Sequence, residues 1–238
     1  LRAGHSNREV SDLTGLPRST IARWRSHGLP VRSSAEPPDP RWRPPDPASY
    51  AYLLGLYLGD GCVASIRAGA QLSICLDETY PGIVAEAEAA IRATVPNVHV
   101  GRYCPAGRGL VRLQAWSRMW LVAFPQHGPG KKHLREIALV DWQKRITRAH
   151  PRELIRGLIH SDGCRTINRF AVNLPRGGRR TYAYARYFFS NLSSDIRAIF
   201  TEHCELLGIR WTLSNPRNVS ISHRRSVALL DEFVGATT

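Results

Sequence analysis

Asp60 and Asp162 are the two residues of this 238-residue chain whose placement most needs a chemical explanation. Each closes an apolar run, YLLGLYLGDG at Tyr52 to Gly61 and LIRGLIHSDG at Leu154 to Gly163. Each is followed by Gly and then Cys, and the two acids lie 102 residues apart. A carboxylate at the C-terminal end of a helix faces the negative end of the helix dipole, which costs roughly a few tenths of a kcal/mol. If the two runs are helices lying side by side, both acids fall at one end of the pair, where they repel unless a cation sits between them. A divalent metal removes that conflict. The competing reading is that Asp-Gly merely stops a helix, with Gly61 and Gly163 just past its end. The same Asp-Gly-Cys ending in two copies favours the metal.

The elements that must position the acids are written into the same runs. Small residues recur four apart, Gly55 and Gly59 in the first run and Gly157 and Ser161 in the second, so each run carries a face that lets two helices approach closely. The paired runs resemble the two signature helices of the LAGLIDADG homing endonucleases, in their single-chain, two-repeat form. The resemblance covers roughly residues 49 to 236. It implies an α+β fold of two pseudo-symmetric αββαββα repeats forming a saddle, at residues 49–148 with a connector and at 149–238.

The hydrophobic pattern gives each repeat its elements. In the first, the signature helix spans about Pro47 to Asp60, and strands follow near Val63 to Arg67 and Ala70 to Leu76. The second of these alternates, with Leu72, Ile74 and Leu76 on one side and Gln71, Ser73 and Cys75 on the other. A helix from Pro81 to Thr94, a hairpin of Val98 to Tyr103 with Leu110 to Trp116, and a helix from Arg118 to Phe124 complete it. Residues 127 to 150 are read only as a bridge. In the second repeat the signature helix begins at Pro151, and Arg169 to Leu174 is read as a strand with Phe170, Val172 and Leu174 inward and Arg169 and Asn173 outward. The return strand, Thr181 to Ser190, sets Ala183, Ala185, Tyr187 and Phe189 against Tyr182, Tyr184 and Arg186 on the other face. Ser193 or Ser194 caps a helix from Asp195 to Leu207. A last hairpin, Ile209 to Ser214 with Val219 to His223, precedes a helix from Arg225 to Phe233.

A net charge of +14 and a pI near 10.3 call for a polyanionic partner. Of the 33 basic residues, 30 are Arg, the better fork for phosphates and guanine edges. Five Cys without C-x-x-C spacing argue against a zinc ribbon or a disulfide framework and for a reducing cytoplasm. No apolar run reaches the roughly 18 residues of a membrane span, and no signal peptide opens the sequence. A bacterial, cytoplasmic, nucleoid-associated protein with no membrane partner is therefore expected.

Residues 1–29 read as a small all-α helix-turn-helix module. Ser6 caps a helix with Val10 and Leu13 inward, Gly15 makes the turn, and Pro17 opens a second helix with Ile21 and Trp24 inward. This pattern resembles resolvase-like and transposase-like modules, and that likeness puts Arg18, Ser19, Thr20 and Arg23 against bases and Arg25 against phosphate. Only Leu1 to Ala3 precede it, so the module is expected to be incomplete. Residues 30–48 carry seven prolines and form a semi-stiff linker in which Trp42 is an anchor.

The LAGLIDADG resemblance supplies the chemistry. Hydrolysis of a phosphodiester requires an activated water, a stabilised pentavalent phosphate and help for the leaving oxygen, and carboxylate-held Mg²⁺ (or Mn²⁺) supplies all three. The resemblance makes Asp60 and Asp162 the metal ligands, with a backbone carbonyl from Gly59 or Ser161 completing the shell. Lys131 or Lys132 fills the place of the family's lysine near the metals; the second repeat offers only Arg224 and Arg225. His160 is read as a packing residue, and Cys62 and Cys164 as small buried ones. The saddle's polar face is expected in the major groove of double-stranded DNA. There Arg112, Gln114, Arg169, Asn173, Arg186 and Arg210 suit guanine and adenine edges, while Gln71, Ser73, Thr212, Ser220 and Ser222 adapt to either base. Tyr182 and Tyr184 suit sugars or thymine methyls. The function expected is a monomeric, metal-dependent, site-specific DNA endonuclease of the homing type. The alternative is a transcription regulator that binds through saddle and helix-turn-helix without cleavage.

Overall fold

The structure, a computed structural model, describes residues 6–15, 17–27, 38–66, 69–173, 175 and 177–235, without the side chains of Arg23, Trp24, His27 and Ile66. The expectations for Arg23, Trp24, Arg67, Leu174, residues 1–5 and residues 30–37 therefore fall outside the described residues. The chain divides into two units, residues 1–37 and 38–238.

The first unit contains helices α1 (Asn7–Thr14) and α2 (Arg18–His27). Ser6 caps α1 reciprocally: its N–H donates to Glu9 Oε2 at 2.7 Å and its Oγ accepts from the Glu9 N–H at 3.3 Å. Gly15 ends α1 at φ 68°, a left-handed conformation that favours glycine. Ile21 is fully buried as expected, but Leu13 is 76% exposed and α1 buries no residue completely. The inward placement of Leu13 is thus corrected: a two-turn helix beside one other short helix covers little of its own surface.

In the second unit, α3 (Pro47–Asp60) starts at Asp46, whose carboxylate accepts from the Ser49 N–H and hydroxyl at 3.0 and 2.7 Å, with Pro47 in the first turn. Every residue from Tyr50 to Leu58 is buried, so α3 is apolar on all sides and runs through the core. Strands β1 (Gly61–Ile66) and β2 (Gly69–Asp77), helix α4 (Pro81–Thr94), strands β3 (Val100–Tyr103) and β4 (Leu110–Trp116) and the short helix α5 (Trp120–Ala123) complete the first repeat. After α6 (Asp141–Ala149) the order returns: α7 (Pro151–Asp162), β5 (Gly163–Asn173), β6 (Arg179–Ser190), α8 (Ser194–Leu206), β7 (Thr212–Asn215), β8 (Asn218–Ile221) and α9 (Arg224–Phe233). Each repeat builds one antiparallel sheet, in the orders β1-β2-β4-β3 and β5-β6-β8-β7. Ser193 is the residue that caps α8.

Two elements depart from the sequence reading. Residues 127 to 150 are more than a bridge: a 3-10 turn at Lys132–Leu134 is followed by α6, and the segment is pinned by a buried amide network. Gln143, fully buried, donates to the Tyr50 hydroxyl at 2.7 Å and accepts from Gln126 Nε2 at 2.5 Å, while the Ile137 N–H donates to Asp195 at 2.9 Å. Helix α6 buries Gln143 and Thr147 beside the partly buried Trp142 and Ile146, so its inward face is half polar and its apolar signal is only one pair of residues four apart.

The second departure is the long hairpin β5–β6. Its register pairs Arg165 with Tyr187, Arg169 with Ala183 and Phe170 with Tyr182. Arg165 is bound by both oxygens of Asp231 on α9, at 2.8 and 3.0 Å, and Tyr187 donates to the same carboxylate at 2.7 Å. That fixes the Tyr187 face as the one turned toward the helices. Arg169 and Asn173 lie on this face, and Phe170 and Val172 on the other, the reverse of the expectation. The expectation for the return strand stands: Ala183, Ala185, Tyr187 and Phe189 share one face, and Tyr182, Tyr184 and Arg186 the other.

Candidate active site and nucleic-acid interface

Helices α3 and α7 touch backbone to backbone. A Cβ on Gly55 would lie 2.5 Å from the Leu154 carbonyl oxygen and 2.7 Å from the Leu158 nitrogen, and one on Gly157 would strike the Tyr52 carbonyl. Near the ends of the helices Gly59 meets Ser161 in the same way, 2.9 Å from Asp162 Oδ2 by its imagined Cβ. The acids are thereby delivered to one end of the helix pair. Each shares a cavity with the last turn of the other signature helix: Asp60 with Ile159, His160 and Ser161, and Asp162 with Leu58 and Gly59.

Each helix passes into its strand with no residue between, Asp60 to Gly61 and Asp162 to Gly163. The helix-stop reading placed these glycines at the usual left-handed position, but their φ values are −91° and −113°. Glycine is required here for space. A Cβ on Gly61 would sit 2.5 Å from Tyr57 Cα, and one on Gly163 2.7 Å from Ile159 Cα, because each strand turns back across the helix it leaves.

Of the two lysines, Lys132 reaches the site and Lys131 is exposed at the start of the 3-10 turn. The Lys132 ammonium donates to the carbonyls of Tyr57, Leu58, Gly59 and Gly61 at 2.6 to 2.9 Å and lies 5.3 Å from the centre of the Tyr57 ring. It satisfies the orphan carbonyls of the last α3 turn and opposes the dipole there. Burial pushes its pKa down to about 8, although both acids pull the other way. The last turn of α7 has instead the Ser161 hydroxyl, which donates back to Gly157 and Leu158 at 3.1 and 3.0 Å.

The acids are unequal as well. Asp162 accepts from Asn191 Nδ2 at 2.6 Å; burial raises its pKa while Asn191 and Lys132 hold it down. Asp60 keeps an exposed edge, and no donor reaches it among the described residues. Its carboxyl is pushed up to about 6, first by desolvation and then by the charge of Asp162, against the pull of Lys132. The proton of the pair therefore belongs on Asp60. Asp77 and Tyr80 line its cavity. His160 is a packing residue: Tyr52 Oη bonds to Nδ1 at 2.9 Å, and Nε2 must carry the hydrogen because it faces the Val234 carbonyl at 2.8 Å. Burial holds it neutral, with a pKa near 4.

No group of three or more His, Cys, Asp or Glu side chains converges on a metal-sized space among the described residues. Two carboxylates at one end of the helix pair, one of them raised by the other's charge, fit a hard, oxygen-seeking cation when phosphate oxygens and water supply the other positions. The Gly59 carbonyl, expected as a ligand, accepts from Lys132 at 2.6 Å, so a cation there would have to share that oxygen with the ammonium.

The open face of the first sheet collects Gln71, Ser73, Arg112 and Gln114, as expected: Ser73 pairs with Gln114, and Cys75 with Arg112. Trp116 and Tyr103, 47% and 54% exposed, join them, since Trp116 pairs with Gln71 and Tyr103 with Arg112. On the second sheet Tyr184 and Arg186 share a face, whereas Arg169 and Asn173 are on the opposite side of the hairpin and Ser220 is buried. Arg210 and Ser222 are exposed but lie outside the strands, and Thr212 is exposed in β7. Cys62 and Cys164 are exposed, not buried, because each is the second residue of its strand and points away from the core. In the first unit Arg18 and Ser19 are exposed and Thr20 is half-buried. Sequence reasoning missed Asn191; it sits in a strand-to-helix turn and nothing in its spacing links it to Asp162.

No protein-family model matches the sequence, and no curated protein matches it. Solved structures do. The full-length DUF199/WhiA protein from Thermatoga maritima superposes with a TM-score of 0.50 at 14% identity, over 80% of this chain and 56% of that one. The homing endonuclease I-DmoI, in complex with DNA and Mn, gives 0.50 at 15% identity, over 81% of this chain and 99% of that one. Mesophilic variants of I-DmoI give 0.50 at 15%, over 80% and 97%. The chain thus spans little more than half the length of the WhiA chain and nearly all of I-DmoI. At these identities the likeness is one of fold: two α+β repeats, each with a four-stranded antiparallel sheet, in the two-repeat LAGLIDADG-like arrangement.

Proposed function

We propose that this protein binds double-stranded DNA along the open faces of its two sheets and cleaves it as a site-specific endonuclease, acting as a monomer. The observation that carries this reading is the convergence of Asp60, Asp162 and Lys132 at the two helix-to-strand junctions. The sheets leaving those junctions present Gln71, Ser73, Arg112 and Gln114 in one repeat and Tyr184 and Arg186 in the other. A phosphate brought there meets an ammonium held by backbone carbonyls, a position from which charge on a pentavalent phosphate is stabilised without reorganisation. Asp60, with its carboxyl near 6 before any cation binds, is mostly ionised at neutral pH and so is ready to hold one. Asn191 orients Asp162. A divalent cation held by Asp60 and Asp162 would supply Lewis acidity and a more acidic water. Residues 1–37 add a helix-turn-helix contact through Arg18, Ser19, Thr20 and Arg23.

A regulator without cleavage is the second reading. It is favoured by the likeness in fold to the WhiA protein and by Lys132, which already holds a cation on the α3 carbonyls, within the influence of both acids. One experiment separates the two: the full chain is incubated with a randomised duplex library and Mg²⁺ or Mn²⁺, and bound and cut molecules are both sequenced. Cutting at one position of a defined site supports the enzyme. Enrichment of a site that is never cut in either metal supports the regulator.

A further inference from the structure

The outer half of the β5–β6 hairpin extends past the core, and one of its faces is apolar in water. Phe170, Val172, Tyr182 and Tyr184 are each 38 to 43% exposed, on a face that the register makes continuous. The rings are organised: Phe170 lies parallel to Tyr182 with centroids 5.4 Å apart and meets Tyr184 edge-on at 5.9 Å. Arg180 covers Tyr182 at 5.2 Å, Arg186 lies on Phe188 at 3.8 Å, and Asn168 Nδ2 donates to the Tyr184 hydroxyl at 2.8 Å. An exposed apolar patch of this kind marks a contact surface. The chemistry of its occupant follows from charge: from Gly163 to Ser190 the sequence has six Arg and no Asp or Glu. A partner that is at once polyanionic and able to offer apolar groups to a two-stranded ribbon is duplex DNA, whose major groove admits such a ribbon and presents one apolar group on its base edges, the C5-methyl of thymine.

We infer that the aromatic face of this hairpin selects thymine, so that the half-site under the second repeat is read by methyl contacts with Phe170, Tyr182 and Tyr184. The first repeat also exposes Trp116 and Tyr103, but they stand apart at opposite ends of its open face, and Gln71, Ser73, Arg112 and Gln114 between them read its half-site chiefly by hydrogen bonds. This rests on the DNA-binding reading above. Arg180 and Arg186 stack on neighbouring rings and keep their edge N–H groups for phosphate or base, while the rings themselves supply the methyl contact.

The test uses the full chain, a duplex selected from the randomised library, and copies of that duplex with deoxyuridine in place of thymidine in one half-site at a time. Loss of each contacted methyl should weaken binding about three- to fourfold. Deoxyuridine in the half-site under the first repeat should have less than twofold effect. Phe170→Ala and Tyr182→Ala alter exposed side chains, and unchanged melting checks the fold; either should make the protein indifferent to the missing methyls. Binding that ignores deoxyuridine in both half-sites, a second half-site without thymine, or undiminished sensitivity in both variants overturns the inference while leaving the DNA-binding function standing. Failure to bind any duplex defeats the function itself. If Phe170→Ala abolishes binding to phosphatidylglycerol vesicles and leaves duplex binding intact, the surface belongs to a membrane and the inference is wrong.

Discussion

Asp60 titrates upward because desolvation and the charge of Asp162 outweigh the pull of Lys132, and two measurable consequences follow. The fold holds its pKa near 6, above the ordinary value of 3.8, so protonation favours the folded state. The associated stability is present below about pH 4 and is lost as the pH rises through 6. Asp60→Asn should therefore melt above wild type at pH 7.5 in metal-free buffer and converge with it near pH 4, while abolishing cleavage and preserving binding. A lower melting temperature at pH 7.5 would contradict the repulsion argument. Lys132 pulls Asp60 down by its charge. Lys132→Met should thus move the Asp60 titration above 6, visible by carboxyl carbon NMR, as well as removing cleavage. If Asp60 titrates unchanged in that variant, the ammonium is not part of the site's electrostatics.

Helices α3 and α7 cross through glycine, and a methyl group there has nowhere to go. Gly157→Ala, directed at the Tyr52 carbonyl, should cost about 1 to 3 kcal/mol or more in urea unfolding. Gly82→Ala, in α4 with open space around it, should be neutral or stabilising by about 0.4 to 1 kcal/mol. Equal effects would deny the close crossing. The same helices were the most legible part of the sequence, because the apolar runs, the prolines that open them and the small residues four apart all describe one contact. The facing of β5 was not legible. Both sides of its outer half are in water, so alternation could not distinguish them, and the distinction came from Arg165 and Asp231, far apart in sequence. Within the site the acids and the lysine pair could be read from the chain, but the choice of Lys132 over Lys131 depended on a connector held by buried amides, and Asn191 on a tertiary contact alone.

For the molecule as a whole, the division at residues 37 and 38 bears on how the proposed DNA binding would be shared. Trp42 packs on the core and Arg43 lies 5.0 Å above the Trp142 ring, so the part of the linker carrying them belongs with the repeats. A truncation should begin at Pro38. Residues 1–37 carry six Arg, and their removal should weaken binding and reduce the salt slope by about 0.9 for each phosphate that is no longer neutralised. The melting temperature of the repeats and the cleavage position should not change; a moved cut would show that the amino-terminal unit sets register.

The junctions without a loop have one more consequence, for recognising kin. In both repeats the acid follows the crossing glycine by five positions, Gly55 to Asp60 and Gly157 to Asp162, and the strand starts on the next residue. One inserted residue in that interval would swing the carboxylate by about 100° around its helix. An insertion at the hairpin tip between Asn173 and Arg179 would change only reach. Among chains that share this fold at identities as low as that with I-DmoI, the likeness should therefore survive as an interval: gaps gather at the tips, and the five-position ruler from glycine to acid stays uncut.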